Sequence, residues 1–315
     1  MVSALVATMI TAGLTACDSD SSSGSIGTAT VLSDDDGNKI QVSHISGSDV
    51  NVYFDYDERG RLTNFGDYEV KGSKITLGDA TDYGQYEITL STNSLVSKVT
   101  YTYNEKESDG SYEKSNAVVN FTYSGGHFAS ATGTSTYLYY DASRNEKEES
   151  IGKVTMKATW SGGNLMKFTS KYTEQGVDDG ERYSESWSED YTMGYSGQAN
   201  TFGQMPFYIA SEIQGDGVLG ALATVGLLGT GPKELPTGYV LEEIEDDDVE
   251  TSAVTLGFKL NSNGSIRTET KNSSRTVTYT YNDVDTRAAG PEQLKAMALG
   301  VKSAFGKMHR HHRKQ

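Results

Sequence analysis

The chain has 315 residues, a formal charge of −16 and a pI near 4.7. That charge excludes nucleic acid as the main partner, because a phosphate backbone would be repelled. Twenty Tyr and 34 Gly against four Pro suit many twisted strands joined by tight turns, not a helical bundle. The length allows one large or two ordinary domains with a core that needs no staple, and the single Cys forbids an intrachain disulfide.

Residues 1–16 carry no charge and are mostly apolar or small; Leu14-Thr15-Ala16-Cys17 then gives way to the polar run Asp18-Ser19-Asp20-Ser21-Ser22-Ser23. A short apolar stretch ending in small residues reads as a signal peptide, too short for a comfortable membrane span. No Lys or Arg precedes Cys17, a departure from the usual signal. The arrangement resembles a bacterial lipobox. That resemblance implies removal of residues 1–16 and lipidation of Cys17, whose several acyl chains would anchor the protein stably to a membrane. Residues 17–36 hold the lipidated Cys and a Ser-, Gly- and Asp-rich stretch that reads as a flexible tether.

Residues 37–285 read as strand after strand. Val50, Val52 and Phe54 keep a two-residue step, and Tyr86-Glu87-Ile88-Thr89-Leu90 does the same. Turns fall at Asp57-Glu58-Arg59-Gly60, Ser91-Thr92-Asn93-Ser94, Ser124-Gly125-Gly126, Ser161-Gly162-Gly163 and Asn261-Ser262-Asn263-Gly264, where Gly, Asn and Asp accept the positive φ of tight hairpins. The residues ending the strands before such turns, Tyr56, Leu90, Tyr123, Trp160 and Tyr195, recur about every 35 positions, and the next copy, Leu260, comes nearly two steps later. A helical insertion at about 213–231, with the apolar run Val218 to Leu228, occupies the gap. These signals predict a mostly-β domain: an antiparallel meander of repeated hairpins, curved or half-barrel-like, with one short apolar helix against its concave side. Residues 286–315 form a basic amphipathic tail, with Leu294, Met297, Ala298, Val301 and Phe305 at helical spacing ahead of His309-Arg310-His311-His312-Arg313-Lys314.

Chemistry-bearing patterns are weak. Gly215-Asp216-Gly217-Val218-Leu219-Gly220 spells a dinucleotide fingerprint but lacks the parallel βαβ setting, so no cofactor is expected. The acidic run Glu242 to Glu250 and Asp34-Asp35-Asp36-Gly37-Asn38 lack calcium-loop geometry and read as solvated loops. His309, His311 and His312 on a tail seldom close a metal site, and His44 and His127 stand without a nucleophile or an HExxH helix. No metal site, catalytic residue or ligand-binding residue is assigned. Glycosidase carboxylates are selected by the fold, and the sequence selects no pair. The i, i+2 ring pairs Phe54/Tyr56, Tyr101/Tyr103, Tyr137/Tyr139 and Tyr279/Tyr281 read as core packing; facing outward they would form a sugar- or peptide-stacking platform.

Phe54-Asp55-Tyr56-Asp57-Glu58-Arg59-Gly60-Arg61-Leu62 resembles the YD-repeat motif. With Gly226-Leu227-Leu228-Gly229 and Lys233-Glu234-Leu235-Pro236, the layout over roughly residues 40 to 285 is similar to an uncharacterised family of Bacteroidetes-type YD-repeat-like lipoproteins, a domain of unknown function. The resemblance implies an exported outer-membrane lipoprotein at the cell surface or on the periplasmic face, with Asp18 and Asp20 weakly suggesting surface display; it brings no established activity. The expected function is therefore a noncatalytic, lipid-anchored binding or scaffold protein of the cell envelope, with a glycan, an apolar ligand or a protein as partner. The alternatives are a carrier of a lipid or other apolar ligand in a β-sheet cavity and a secreted glycan-acting hydrolase.

Overall fold

The computed structural model describes residues 32–33, 39–48, 50–58, 60–79, 84–214, 217–245 and 248–282. The expected leader, the lipobox-like stretch, most of the expected tether and the expected basic tail lie outside them. β1 (Leu32–Ser33) and β2 (Lys39–Ile40) form a short ribbon. There follow β3 (Val42–Gly47), β4 (Asn51–Tyr56), β5 (Leu62–Phe65), β6 (Tyr68–Lys71), β7 (Lys74–Asp79) and β8 (Gly84–Leu90), all short. The long strands come next: β9 (Val96–Lys106), β10 (Tyr112–Ser124), β11 (His127–Asp141), β12 (Glu146–Ser161), β13 (Asn164–Asp178) and β14 (Glu181–Ala199). Two helices, α1 (Phe207–Gln214) and α2 (Gly217–Thr224), precede β15 (Glu234–Glu245), β16 (Asp248–Leu260), β17 (Ile266–Lys271) and β18 (Arg275–Tyr281).

The strands from β3 to β18 pair antiparallel with their chain neighbours, and β18 pairs with β3 through Val277↔Gly47 to Tyr281↔Val42. The sheet is thus a closed barrel, not the curved sheet or half-barrel that the strand pattern predicts. Closure needs one pairing between residues more than two hundred positions apart, which no local periodicity encodes; it removes both unpaired edges. The alternation itself holds: in β8 every second residue, Gly84, Tyr86, Ile88 and Leu90, is buried.

The repeat of about 35 residues has a structural meaning. A register shift interrupts the pairing immediately before Tyr56, Leu90, Tyr123, Trp160, Tyr195 and Leu260, and also before Tyr281. All seven lie at the same end of the barrel, so one step spans four short strands (β5 to β8) or two long ones. Five of the seven carry rings, and each ring donates to a carbonyl on the preceding strand: Tyr56 to Val42 (2.9 Å), Tyr123 to Val96 (2.7 Å), Trp160 to Phe128 (2.8 Å), Tyr195 to Leu165 (2.8 Å) and Tyr281 to Ile266 (2.7 Å). A bulge frees backbone groups from the ladder, and the ring at the bulge ties the end of its strand to the neighbour on its other side. Asp57, in the first of these turns, accepts from the Arg61 amide (2.9 Å) and Arg61 Nε (2.6 Å), a turn role.

The insertion enters at this same end and fills the barrel. It holds two helices where one was expected over Val218–Leu228. The first, Phe207–Gln214, carries Ser211 and Glu212 and so lacks a continuous apolar run. The second is buried from Val218 to Thr224 and stops in a Schellman cap, with Gly226 at φ 82°, Leu227 N–H on the Leu222 carbonyl (2.9 Å) and Gly226 N–H on that of Ala223 (3.0 Å). The helices cross closely because residue 220 is Gly: a Cβ there would lie 2.8 Å from Ser211 Cα. The hairpin turns hold the insertion in place, through Val96 N–H on Leu227 O (2.8 Å), Thr230 N–H on Gly126 O (2.9 Å) and Lys233 N–H on Gly163 O (2.9 Å). Both Gly-Gly turns therefore serve as docking points as well as reversals.

Each ring latch satisfies a carbonyl that bulging would otherwise strand, so Tyr123→Phe costs about 0.5–1.5 kcal/mol of unfolding free energy. Denaturant melts measure this, and Tyr112→Phe, at the opposite end of the same strand, stays near neutral.

Candidate functional site

Register fixes which face each residue of the long wall presents. In β9 to β14, Lys98, Lys106, Lys114, Lys147, Lys153, Lys157, Lys167, Lys171 and Arg182 point outward among Thr and Ser, with Glu149 and Asp190 the acids on that side. The lumen side carries Val99, Val119, Val154, Phe168 and Tyr191 at the plug level, all five in the core. A membrane-crossing barrel shows the reverse: an apolar band outside and polar residues within. Lysine or arginine on a lipid-facing position costs about 2–4 kcal/mol at mid-bilayer, and several together exceed the stability of a typical domain. This outer wall is built for water. Among the described residues no helix is long and apolar enough to cross a membrane either.

Above the plug the lumen wall changes from apolar to acidic, and every charged side chain it presents from β9 to β16 is a carboxylate. Several face each other directly across strands: Glu105↔Glu113, Asp141↔Glu146, Glu148↔Asp178, Glu174↔Glu185, Glu189↔Glu243 and Glu243↔Glu250. Like charges so placed are destabilising. Aromatic rings stand among them. Tyr172 packs on Trp187 with ring centres 4.0 Å apart, and Tyr137 and Tyr139 share the same face. Small residues let the wall curl under these rings: a Cβ on Gly152 would meet the Tyr172 hydroxyl at 2.1 Å, and one on Gly176 the Tyr183 ring at 2.5 Å.

The deepest carboxylate of this set is Glu174, only 3% exposed. Its carboxylate accepts from Tyr172 (3.3 Å) and Tyr183 (3.4 Å), and Tyr183 also reaches Glu148 (3.3 Å). Desolvation raises its pKa above the usual carboxylate range, the nearby Glu185 adds to the rise, and the hydroxyls oppose it. Near the mouth a recess of about 610 Å³ runs along β11 to β14, lined by residues 136–138, 149–151, 175–177 and 182–183. Seven of these eleven, Thr136, Leu138, Glu149, Ile151, Gln175, Val177 and Arg182, are on the outer face by register, and Ile151 is 58% exposed.

A second buried carboxylate seats the plug. Glu269 on β17 is fully buried and accepts from the Phe207 (2.8 Å) and Tyr208 (3.2 Å) amides at the start of α1, and from the Tyr279 hydroxyl (2.5 Å). It caps a helix whose first amides have no partner of their own. Burial pushes its carboxyl up to about 7, against the lowering pull of those three donors and of Lys271. Lys271 itself pairs with Glu212 farther along α1.

The residues singled out from sequence scatter. His44 stacks on Tyr53 (3.8 Å between ring centres), and His127 stacks on Trp160 (4.2 Å) and donates to the Thr230 carbonyl (2.8 Å), so both are structural. Phe54, Tyr101, Tyr103, Tyr137 and Tyr279 are buried, which leaves no outward stacking platform at those pairs. The acidic run from Glu242 belongs to the β15–β16 hairpin rather than to a long loop, and its sides alternate between lumen and exterior. Residues 34–38, Gly215, Asp216 and the tail histidines lie outside the described residues, as does Cys17. Among the described residues no three His, Cys, Asp or Glu converge to hold a metal ion. The acidic wall was missed, yet a signal existed: along β12 the acid Glu148 alternates with Lys147, Lys153 and Lys157 on the other parity. Nothing distinguished Glu269 from the other acids.

No family model matches this chain, and no curated protein matches it. Among solved structures it is similar to a porin-like protein from Bacteroides vulgatus ATCC 8482, at 14% identity and a TM-score of 0.46, covering 78% of this chain and all of that one. A porin-like protein from Bacteroides uniformis ATCC 8492 gives 14% identity and a TM-score of 0.37, covering 77% of this chain and 95% of that one. At these scores neither likeness carries an argument about this chain.

Two outcomes follow from the carboxylates. The raised pKa of Glu269 means stability that is fully present below a carboxyl's ordinary value and lost as pH rises through about 7. Glu269→Gln, which keeps the neutral form, therefore flattens the fall in melting temperature between about pH 4.5 and 7, whereas Glu269→Leu, which strands the α1 amides, costs about 3 kcal/mol. Glu243 sits between Glu189 and Glu250. Glu243→Gln raises the melting temperature at low ionic strength, and added salt abolishes the gain.

Proposed function

We infer that the chain is an exported, lipid-anchored protein of the outer envelope, held at a membrane by acyl chains on Cys17, and that its barrel is a noncatalytic binding or scaffold unit. On this reading it is one of the YD-repeat-like lipoproteins that its motifs resemble. The observation that carries the reading is the orientation of the barrel wall, charged and hydroxylated outside and apolar within around two buried helices. From β9 to β14 a wall so built presents no apolar lipid-facing band, and the barrel is filled at the plug end, so on this reading the membrane attachment comes from the lipobox-like stretch.

The same observation weighs on the alternatives. A carrier needs an apolar cavity under the helices, and that space is taken by Leu219, Leu222, Ile209 and their neighbours in the core. A glycan hydrolase needs two carboxylates with a substrate between them. Glu174 and Glu185 face each other across strands, but the deeper one is engaged by Tyr172 and Tyr183 and is almost wholly buried. The acidic mouth with its tyrosines is the face on which we place the partner, and it suits a ligand rich in hydrogen-bond donors or positive charge.

Metabolic labelling with palmitate tests the anchor. Label and membrane association are expected for the wild type and are lost together in Cys17→Ala; an unlabelled wild type overturns the anchor. In planar bilayers the purified protein is expected to give no channel conductance, and stable unit openings would overturn the filled-barrel reading.

A further inference from the structure

The outer wall carries a line of lysines along one seam. On β12 and β13, Lys153 pairs with Thr173, Thr155 with Lys171, Lys157 with Thr169 and Thr159 with Lys167. Lys153, Lys171, Lys157 and Lys167 therefore alternate between the two strands, each diagonal to the next at roughly 7–8 Å. All four are exposed. Lys167 pairs with Asp190 at 2.7 Å. Among the described residues no carboxylate lies within ion-pair distance of Lys153, Lys157 or Lys171, whose cross-strand neighbours on β11 to β14 are Thr134, Thr173, Ser130, Thr169, Thr155 and Ser188. Cations this close repel one another, and here hydroxyls surround them instead of neutralising acids. Apart from Glu149 and Asp190, the acids of these strands occupy the lumen face, on the other side of the sheet. A Debye length of about 8 Å weakens their field at the outer surface.

We propose that this seam is a docking strip for an anionic membrane surface, with the lysines meeting lipid phosphates and the threonine and serine hydroxyls hydrogen-bonding between them. The cations follow one strand seam on the convex outer face of a closed barrel. Charge complementarity selects an anionic partner, and a planar one is favoured because the lysines stand on a convex face, beside and not within the recess at residues 149–151 and 175–177. The inference rests in part on the lipid-anchor reading, which would bring the wall to a membrane; tethered, even a weak strip acts at high local concentration.

The test uses the full chain carrying Cys17→Ala, so no acyl chain contributes and the anchor question stays separate. Lys307, Arg310, Arg313 and Lys314 of the tail are changed to Gln in every arm. Co-sedimentation is measured with phosphatidylcholine vesicles with and without phosphatidylglycerol. Each lysine near an anionic surface is worth roughly fivefold in binding. Lys153→Gln/Lys157→Gln/Lys171→Gln should therefore lower affinity for the phosphatidylglycerol vesicles by tenfold or more. Lys98→Gln/Lys106→Gln/Lys259→Gln, the same charge change elsewhere on the outer wall, should lower it much less. Salt should weaken the parent's binding. Absence of parent binding to anionic vesicles, or equal loss in the two triple variants, overturns the proposal. Tighter binding of the parent to dextran sulfate or duplex DNA than to the vesicles, lost in the same triple variant, overturns the assignment to a membrane.

Discussion

The width of the barrel is the constraint that the rest of the structure answers. A barrel of about eight strands can fill its interior with its own side chains, whereas about sixteen strands leave a channel. Here the inner wall at the plug end is apolar, so an empty channel would expose that surface to water. The insertion between β14 and β15 removes the conflict by placing α1 and α2 inside. α2 is apolar on every side because it has no solvent face. α1 starts against the carboxylate of Glu269, which supplies acceptors where no water reaches. A buried acid in an apolar barrel is costly, and three donors offset part of that cost.

Strand existence, the turns and the spacing of the repeat were legible because each depends on residues close in sequence: alternating burial, Gly and Asn at positive φ, and a strand-ending ring. What the repeat does was not legible. Its bulge exists only relative to a paired strand, and its ring bonds to a carbonyl of the strand before it, as Tyr123 does to Val96. Closure through Tyr281 and Val42 was hidden for the same reason, since a curved sheet and a barrel have identical local patterns. α1 escaped detection because helix propensity over eight residues is weak and its burial comes from the barrel around it.

The bulge belt and the plug are two parts of one end. The turns that follow the bulged strands β8, β10 and β12 hold the insertion through Val96, Gly126 and Gly163. A bulge increases local twist and re-aims the chain, and here it sits where each turn must meet the plug. At the opposite end the ties join neighbouring hairpins, as from the Ala142 amide to Ser111 Oγ (3.0 Å), and the strands from β9 to β16 run on past the plug with carboxylates on their inner side.

The net charge of −16 therefore misdescribes the outer wall of the long strands. The long strands carry acids on the lumen parity and lysines on the outer parity, so the total sums two faces of opposite character. This segregation also bears on the shape of the mouth. Above the plug the wall is lined with tyrosines and small residues, a surface that would close on itself if packing alone decided. Carboxylates side by side on that wall, such as Glu189, Glu243 and Glu250, oppose that collapse, because closing the lumen over them would desolvate their charge. Repulsion weakens the sheet slightly at each pair, and the cost of desolvation opposes closure of the mouth. Charge here acts as a spacer, and the apolar plug end supplies the stability that lets the barrel tolerate it.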